Sequence, residues 1–122
     1  MKIETVVKNG AKIAIVNNKD VLISDVQSAL DFVMSVYYEM DSHAIVINKE
    51  AIAGDFFVLS TGLAGDILQK LVNYQFKLAI VGDYSGYTSK PLRDLIYECN
   101  KGRDVFFVSS EEDAIEKLSR IV

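Results

Sequence analysis

The sequence predicts an α/β fold: a mostly parallel sheet of about five strands, with an antiparallel N-terminal edge strand and four helices. Three observations predict it. Two β-prone runs flank Asn9-Gly10, the strongest short hairpin signal, because both turn residues must take positive φ. Beyond them, short apolar runs alternate with stretches of helical periodicity, the pattern of right-handed strand–helix–strand crossovers. Finally, no Pro/Ser-rich linker, charge block or internal repeat divides the 122 residues, so residues 1–122 are expected to form one domain, long enough to bury a core without staples.

The elements follow in order. The hairpin runs from Ile3 to Lys8 and from Ala11 to Val16, followed by the polar loop Asn17-Asn18-Lys19-Asp20. A first helix is expected from Ser24, with Gln27 completing a capping box. Val26, Ala29, Leu30, Val33, Met34, Tyr37 and Met40 form its apolar stripe. Ala44-Ile45-Val46-Ile47 reads as a buried strand, and Asp55 to Leu59 as either strand or loop. A second helix spans about Leu63 to Tyr74, with Leu63, Ile67, Leu68, Leu71 and Val72 inward. Lys77 to Asp83 contains the clearest central strand. A third helix opens near Ser89, with Pro91 in its first turn, where no amide donor is required. It carries Leu92, Leu95, Ile96 and Cys99 on one face and stops near Gly102, a C′ candidate. Val105 to Val108 is the last strand. Ser109 and Glu112 form a second capping box, opening a helix with Ala114, Ile115 and Leu118 inward.

Half the residues are hydrophobic and a quarter charged, an ordinary globular composition that argues against disorder. The net charge of −4 argues against a broad nucleic-acid surface, which requires Lys/Arg neutralisation of phosphates. Cys99 is the single cysteine and His43 the single histidine, so neither an intramolecular disulfide nor a Cys/His zinc set is expected. No metal or cofactor motif is present. The alternating segment Ile3 to Lys8 is not a signal-peptide run, and no apolar run approaches the ~20 residues of a membrane span. The expectation is a cytoplasmic protein without membrane insertion.

In parallel α/β sheets, ligands and partners meet loops at the carboxyl ends of strands. That rule selects Asn17–Asp25, Ser60–Gly65 and Asp83–Ser89. In the second, Ser60 and Thr61 precede a helix whose first turns contain Gly62 and Gly65. A helix N-terminus presents unbonded amides and partial positive charge, suited to an anion or a phosphorylated hydroxyl. The plainer reading is that Ser60 or Thr61 caps the helix while Gly65 permits close packing. The stretch is not a Walker motif, since no Gly-Lys-Ser/Thr follows. The third loop is longer and more polar than a connection requires. Asp83, Tyr84, Tyr87 and Ser89 fit a recognition surface, or else a turn around Gly86 capped by Ser89. Asp25 reads as a dipole-complementing charge at the start of the first helix. His43 reads as a surface or capping residue, and Cys99 as a small buried hydrophobe. Phe56-Phe57 and Phe106-Phe107 fill core, although strand alternation would turn one residue of each pair outward, toward an interface.

The topology and the Ser60–Gly65 loop resemble the STAS-like domains, the group containing SpoIIAA-type anti-sigma-factor antagonists. The local match is Leu59-Ser60-Thr61-Gly62-Leu63-Ala64-Gly65 against that family's Asp-Ser-Ser-Gly-Leu-Gly loop, with Leu59 standing where the family has Asp. The resemblance implies a protein partner and phosphorylation of a hydroxyl, Thr61 or secondarily Ser60. It also implies a role for Asp25 as the acidic residue of the first strand–helix loop. From Phe56 through Glu98 the chain is similar to a small bacterial family known only as a domain of unknown function. The expected function is therefore a regulatory or protein-interaction module; the alternative is binding of an anion or nucleotide at the second helix N-terminus. Acid–base chemistry by Asp83, Lys90 and the tyrosines Tyr84 and Tyr87 of the Asp83–Lys90 loop ranks third, and self-association through the edge strand or an outward Phe is a further expectation.

Overall fold

The computed structural model describes residues 2–121. Five strands, β1 (Ile3–Lys8), β2 (Ala11–Val16), β3 (Ala44–Asn48), β4 (Lys77–Val81) and β5 (Val105–Val108), lie side by side in chain order. β1 and β2 are antiparallel and every other pair is parallel. The helices are α1 (Val26–Met40), α2 (Leu63–Asn73), α3 (Lys90–Lys101) and α4 (Glu111–Ile121). The expected fold class is the one observed.

Alternation along the strands builds two cores. Ala14, Val16, Ile45, Ile47, Leu78, Ile80 and Phe107 pack with α1, α2 and α3 on one face. Ile13, Ile15, Val46, Ala79, Phe106 and Val108 pack with Ala114 and Leu118 of α4 on the other. A sheet covered on both faces requires strands that are apolar throughout, which is why β2 to β5 read as continuous runs. It also corrects the expectation of an outward Phe: Phe106 and Phe107 point to opposite faces, and both are buried.

Local chemistry accounts for the junctions. Asn9 and Gly10 take φ of 54° and 79°, the paired positive values of a type I′ hairpin. The capping box of α1 sits one residue later than expected. Asp25 is the cap, accepting from the Ser28 amide at 2.7 Å, while the Ser28 hydroxyl accepts from the Asp25 amide at 3.0 Å. Asp25 rather than Ser24 takes the position because its carboxylate reaches that amide. At α4 the cap is Ser110 and not Ser109: its hydroxyl accepts from the Asp113 amide at 3.1 Å, leaving Glu112 inside the helix. Gly102 ends α3 with φ −86°, so the chain leaves in extended form, without a left-handed turn.

The segment left open between strand and loop is neither. Lys49–Ala51, Gly54–Phe57 and Leu59–Thr61 are short 3₁₀ turns that bury Phe56 and Phe57 in the larger of the two cores. An isolated bridge between Ile23 and Ile52 ties the 17–25 loop to this segment.

Candidate functional site

Two of the three selected loops converge at the carboxyl rim of the sheet. The first is the hydroxyl–glycine turn before α2. Gly62 takes φ 77° and is itself the N-terminal cap of α2, with no side chain bonded to that cap. Neither Ser60 nor Thr61 caps the helix in the expected way. Instead Thr61 fastens the turn. Its hydroxyl faces the carbonyls of Val58 (2.8 Å) and Asp55 (3.0 Å) as donor and accepts from the Leu63 amide (3.2 Å). The Thr61 and Gly62 amides are bonded to the carbonyls of Val58 and Leu59. Ser60 is exposed, and its hydroxyl has no partner among the described residues. The two hydroxyls thus differ: one is structural and one is free. Ala64 and Gly65 carry the two early helix amides without an acceptor among the described residues, since Asp66 already bonds Gly62.

The second is the loop after β4. Both of its tyrosines turn inward. The Tyr87 ring stacks on Phe57 at 5.4 Å and 20°, and Tyr84 meets Phe107 edge-on at 5.6 Å. The Tyr84 hydroxyl donates to the Ile80 carbonyl at 2.8 Å. Burial, with the negative field of Tyr87 and Glu50 added to it, pushes that hydroxyl far above the ordinary tyrosine range. Asp83 is exposed, and hydrogen bonds from the side chain and amide of Ser85 hold its carboxyl below the usual range. Lys90 pairs with Asp94 at 2.6 Å. Asp83, Tyr84 and Lys90, among the groups considered for acid–base work, each already have a local partner. Ser89 stands exposed at the cap position of α3 without making a side-chain cap bond.

Between the two loops lies an open groove of about 400 Å³. Val58, Leu59 and Ser60 form one wall, Gly86, Tyr87, Thr88, Ser89 and Pro91 the other, with Phe57 and Gly54 also contributing to the lining. Ser60, Tyr87 and Ser89 therefore share one site. Asp25 does not join them: it caps α1, where bonds from the Ser28 amide and hydroxyl lower its carboxyl pKa. The 17–25 loop is held by Asn18 and Asn48, whose amide and backbone groups bond reciprocally at 2.9 and 2.7 Å.

Sequence reasoning missed Lys49. Its ammonium donates to the Asp83 carbonyl at 3.1 Å and lies 4.7 Å from the Tyr87 ring centre, a cation–π contact that clamps the loop. The readable signal was Gly82 at the end of β4: a Cβ there would stand 2.7 Å from Lys49 Cβ. A glycine closing a strand marks such a close approach. Val58, half exposed at the groove, was also missed, because an apolar residue in an irregular segment carries no periodicity. Two other residues behave largely as expected. His43 is at the surface, 4.4 Å from Tyr37 and 4.9 Å from Phe76 between ring centres. Cys99 is only half-buried, where burial and the neighbouring acids Asp104 and Glu98 push its thiol pKa up.

The fold and site together define an α/β domain with a single five-stranded sheet and a fastened loop rim. A family model described as domain of unknown function DUF4180 matches residues 8–118, and the chain belongs to that family. This agrees with the resemblance to a family of unknown function carried by Phe56 through Glu98. No curated protein matches the chain. Among solved structures, the crystal structure of a protein described as an anti-sigma factor antagonist from Thermotoga maritima is similar at a TM-score of 0.45 and 13% identity. That likeness covers 94% of this chain and 92% of that one. The strand order and helix placement described above, not this likeness, define the architecture. Among the described residues no helix is long and apolar enough to cross a membrane.

Proposed function

We propose that the chain is a regulatory or protein-interaction module that seats a segment of a protein partner in the groove between the Ser60 turn and the Gly86–Ser89 loop. The observation that carries this reading is the pairing of a half-exposed Val58 and free Ser60 on one wall with Ser89 on the other. Apolar area with a few placed polar groups is the make-up of a recognition site. Both walls are fastened from behind, by the Thr61 hydroxyl and by the Phe57–Tyr87 stack, so little ordering entropy opposes binding.

Phosphorylation would act through Ser60 in this reading, in place of Thr61. A phosphate adds about −1.5 to −2 charges at neutral pH. On Ser60 it would occupy the groove; on Thr61 it would first have to break the bonds that hold the turn. Affinity capture from cells of the source organism tests both points. Val58→Glu and Ser60→Glu should each lose a partner that the wild type retains, and a charge change on remote α4 should not. Retention of the same partner by both rim variants would sink the reading.

A second reading rests on the free amides of Ala64 and Gly65: an anion or nucleotide phosphate bound at the start of α2. Phosphate or sulfate should then raise the melting temperature, since ligand at ~100 times its dissociation constant adds about 2.7 kcal/mol. An unchanged melting temperature up to millimolar anion would remove it.

A further inference from the structure

The sheet has two borders, and they are finished differently. At β5 the outward-facing backbone of Phe107 is closed by a single side chain. Asn100 Oδ1 accepts from the Phe107 amide at 2.8 Å, and Asn100 Nδ2 donates to its carbonyl at 3.1 Å. That amide does what a neighbouring strand would do. Among the described residues β1 has no such side chain, and Val7 on it is 69% exposed. An edge strand left open is a template for another strand.

We propose that β1 pairs with β1 of a second copy, antiparallel about a two-fold axis beside Val6, joining two sheets into one. The hairpin fixes which groups are available. In a two-residue type I′ hairpin the residues flanking the turn, Lys8 and Ala11, form a hydrogen-bonded pair. Val6–Ile13 and Glu4–Ile15 follow at every second position. The backbone groups of Ile3, Thr5 and Val7 therefore point away from β2. Outward groups must meet outward groups, so the axis falls beside a single residue of β1. At Ile3 it leaves Val7 uncovered and at Glu4 it sets the two Glu4 carboxylates against each other, which leaves Thr5, Val6 and Val7.

Charge selects among these. An axis at Thr5 sets Lys2 against Lys8 of the second copy, on both sides. An axis at Val7 leaves Glu4 and Lys8 without opposite charges across it. An axis at Val6 sets Glu4 against Lys8 of the second copy and Lys8 against its Glu4. These are close, non-hydrogen-bonded pairs, in which opposite charges contribute and like charges oppose. The same register pairs Thr5 with Val7 of the second copy, covering the exposed Val7. It also brings the two Val6 side chains together as an extension of the α4-side core, against which Val6 already packs. Lys8 now bonds Glu116 at 2.6 Å, but Glu116 also holds Arg120 at 2.7 Å and keeps a cation if Lys8 turns outward.

Sedimentation velocity over a range of protein concentrations tests the pairing. The wild type should show a reversible monomer–dimer equilibrium. Glu4→Lys and Lys8→Glu, which place like charges across the axis, should each shift dissociation at least tenfold toward monomer. An equimolar mixture of the two should restore the dimer as a heterodimer. Should either variant fail to fold, a second measurement decides. Val6→Cys should form an intermolecular disulfide under mild oxidation, while Thr5→Cys should not, because only residue 6 faces itself across the axis. A wild type that stays monomeric to millimolar concentration overturns the proposal. So does a dimer indifferent to both charge changes, or crosslinking through Thr5→Cys in place of Val6→Cys.

Discussion

The turn before α2 and the loop after β4 form opposite walls of one groove, yet they are held by different means. The 59–62 turn is held by hydrogen bonds, chiefly those of the Thr61 hydroxyl and the amides beside it. The 83–89 loop is held chiefly by rings, Tyr87 on Phe57, Tyr84 on Phe107 and Lys49 over Tyr87, with hydrogen bonds from Tyr84 and Lys49 added to them. In both, the residues that look most chemical in sequence serve as fasteners, and what remains unengaged is the less conspicuous neighbour. Ser60 is left by Thr61, and Ser89 with Thr88 by the tyrosines. A polar or aromatic residue in a loop is thus evidence of function only after its internal bonds have been accounted for.

The contrast predicts unequal costs. Phe57→Ala should be the most damaging change, because it opens a cavity in the core and removes the stacking surface of Tyr87. Large-to-small core changes of this kind cost about 3–5 kcal/mol, readable by denaturant unfolding. A cost no greater than that of losing one hydrogen bond would break the comparison. Thr61→Val exchanges the hydroxyl for a methyl of similar size and should cost about 1 kcal/mol, with Thr61→Ser recovering most of it.

Asp25→Ala should lower the melting temperature by a few degrees at neutral pH, through loss of the bond to the Ser28 amide. The sign of its pH dependence follows from the depressed carboxyl pKa. A carboxyl held below its ordinary value of 3.8 contributes stability above that value and loses it as pH falls through the folded-state pKa. The gap between wild type and Asp25→Ala should therefore close in acid; a gap constant down to strongly acidic pH would assign the effect to packing. Ser60→Ala should be the quietest, within about 0.5 kcal/mol of the wild type, while still weakening partner capture. If it destabilises as much as Thr61→Val, the division between fastener and free hydroxyl fails.

Much of the architecture was legible in the sequence because its signals are local. Asn9-Gly10 prescribes a hairpin through backbone sterics alone, and β2 to β5 are apolar because both faces of the sheet are covered. Caps slipped by a residue where polar groups cluster. Ser24, Asp25, Gln27 and Ser28 offer more than one capping pair, as do Ser109 and Ser110, and only the path of the chain chooses between them. The run from Lys49 to Thr61 was not legible, since successive i→i+3 turns leave neither a two-residue nor a 3.6-residue period. The site was legible as a location and not as an arrangement. The loops at the strand ends follow from the order of elements, and Ser60, Tyr87 and Ser89, from two of the three, line one groove. That Tyr84 would turn inward, that Thr61 would be engaged and that Asp25 would stand apart depend on tertiary contacts that no short window of sequence contains.

The carboxamide of Asn100 has a consequence for stoichiometry. A β-sheet with two adhesive margins grows without limit, and every addition exposes a fresh one. Here Asn100 takes up the outward groups of Phe107 on one margin, so the pairing proposed for β1 would use up the other margin. In that arrangement rising concentration would saturate at a closed pair instead of seeding a fibre.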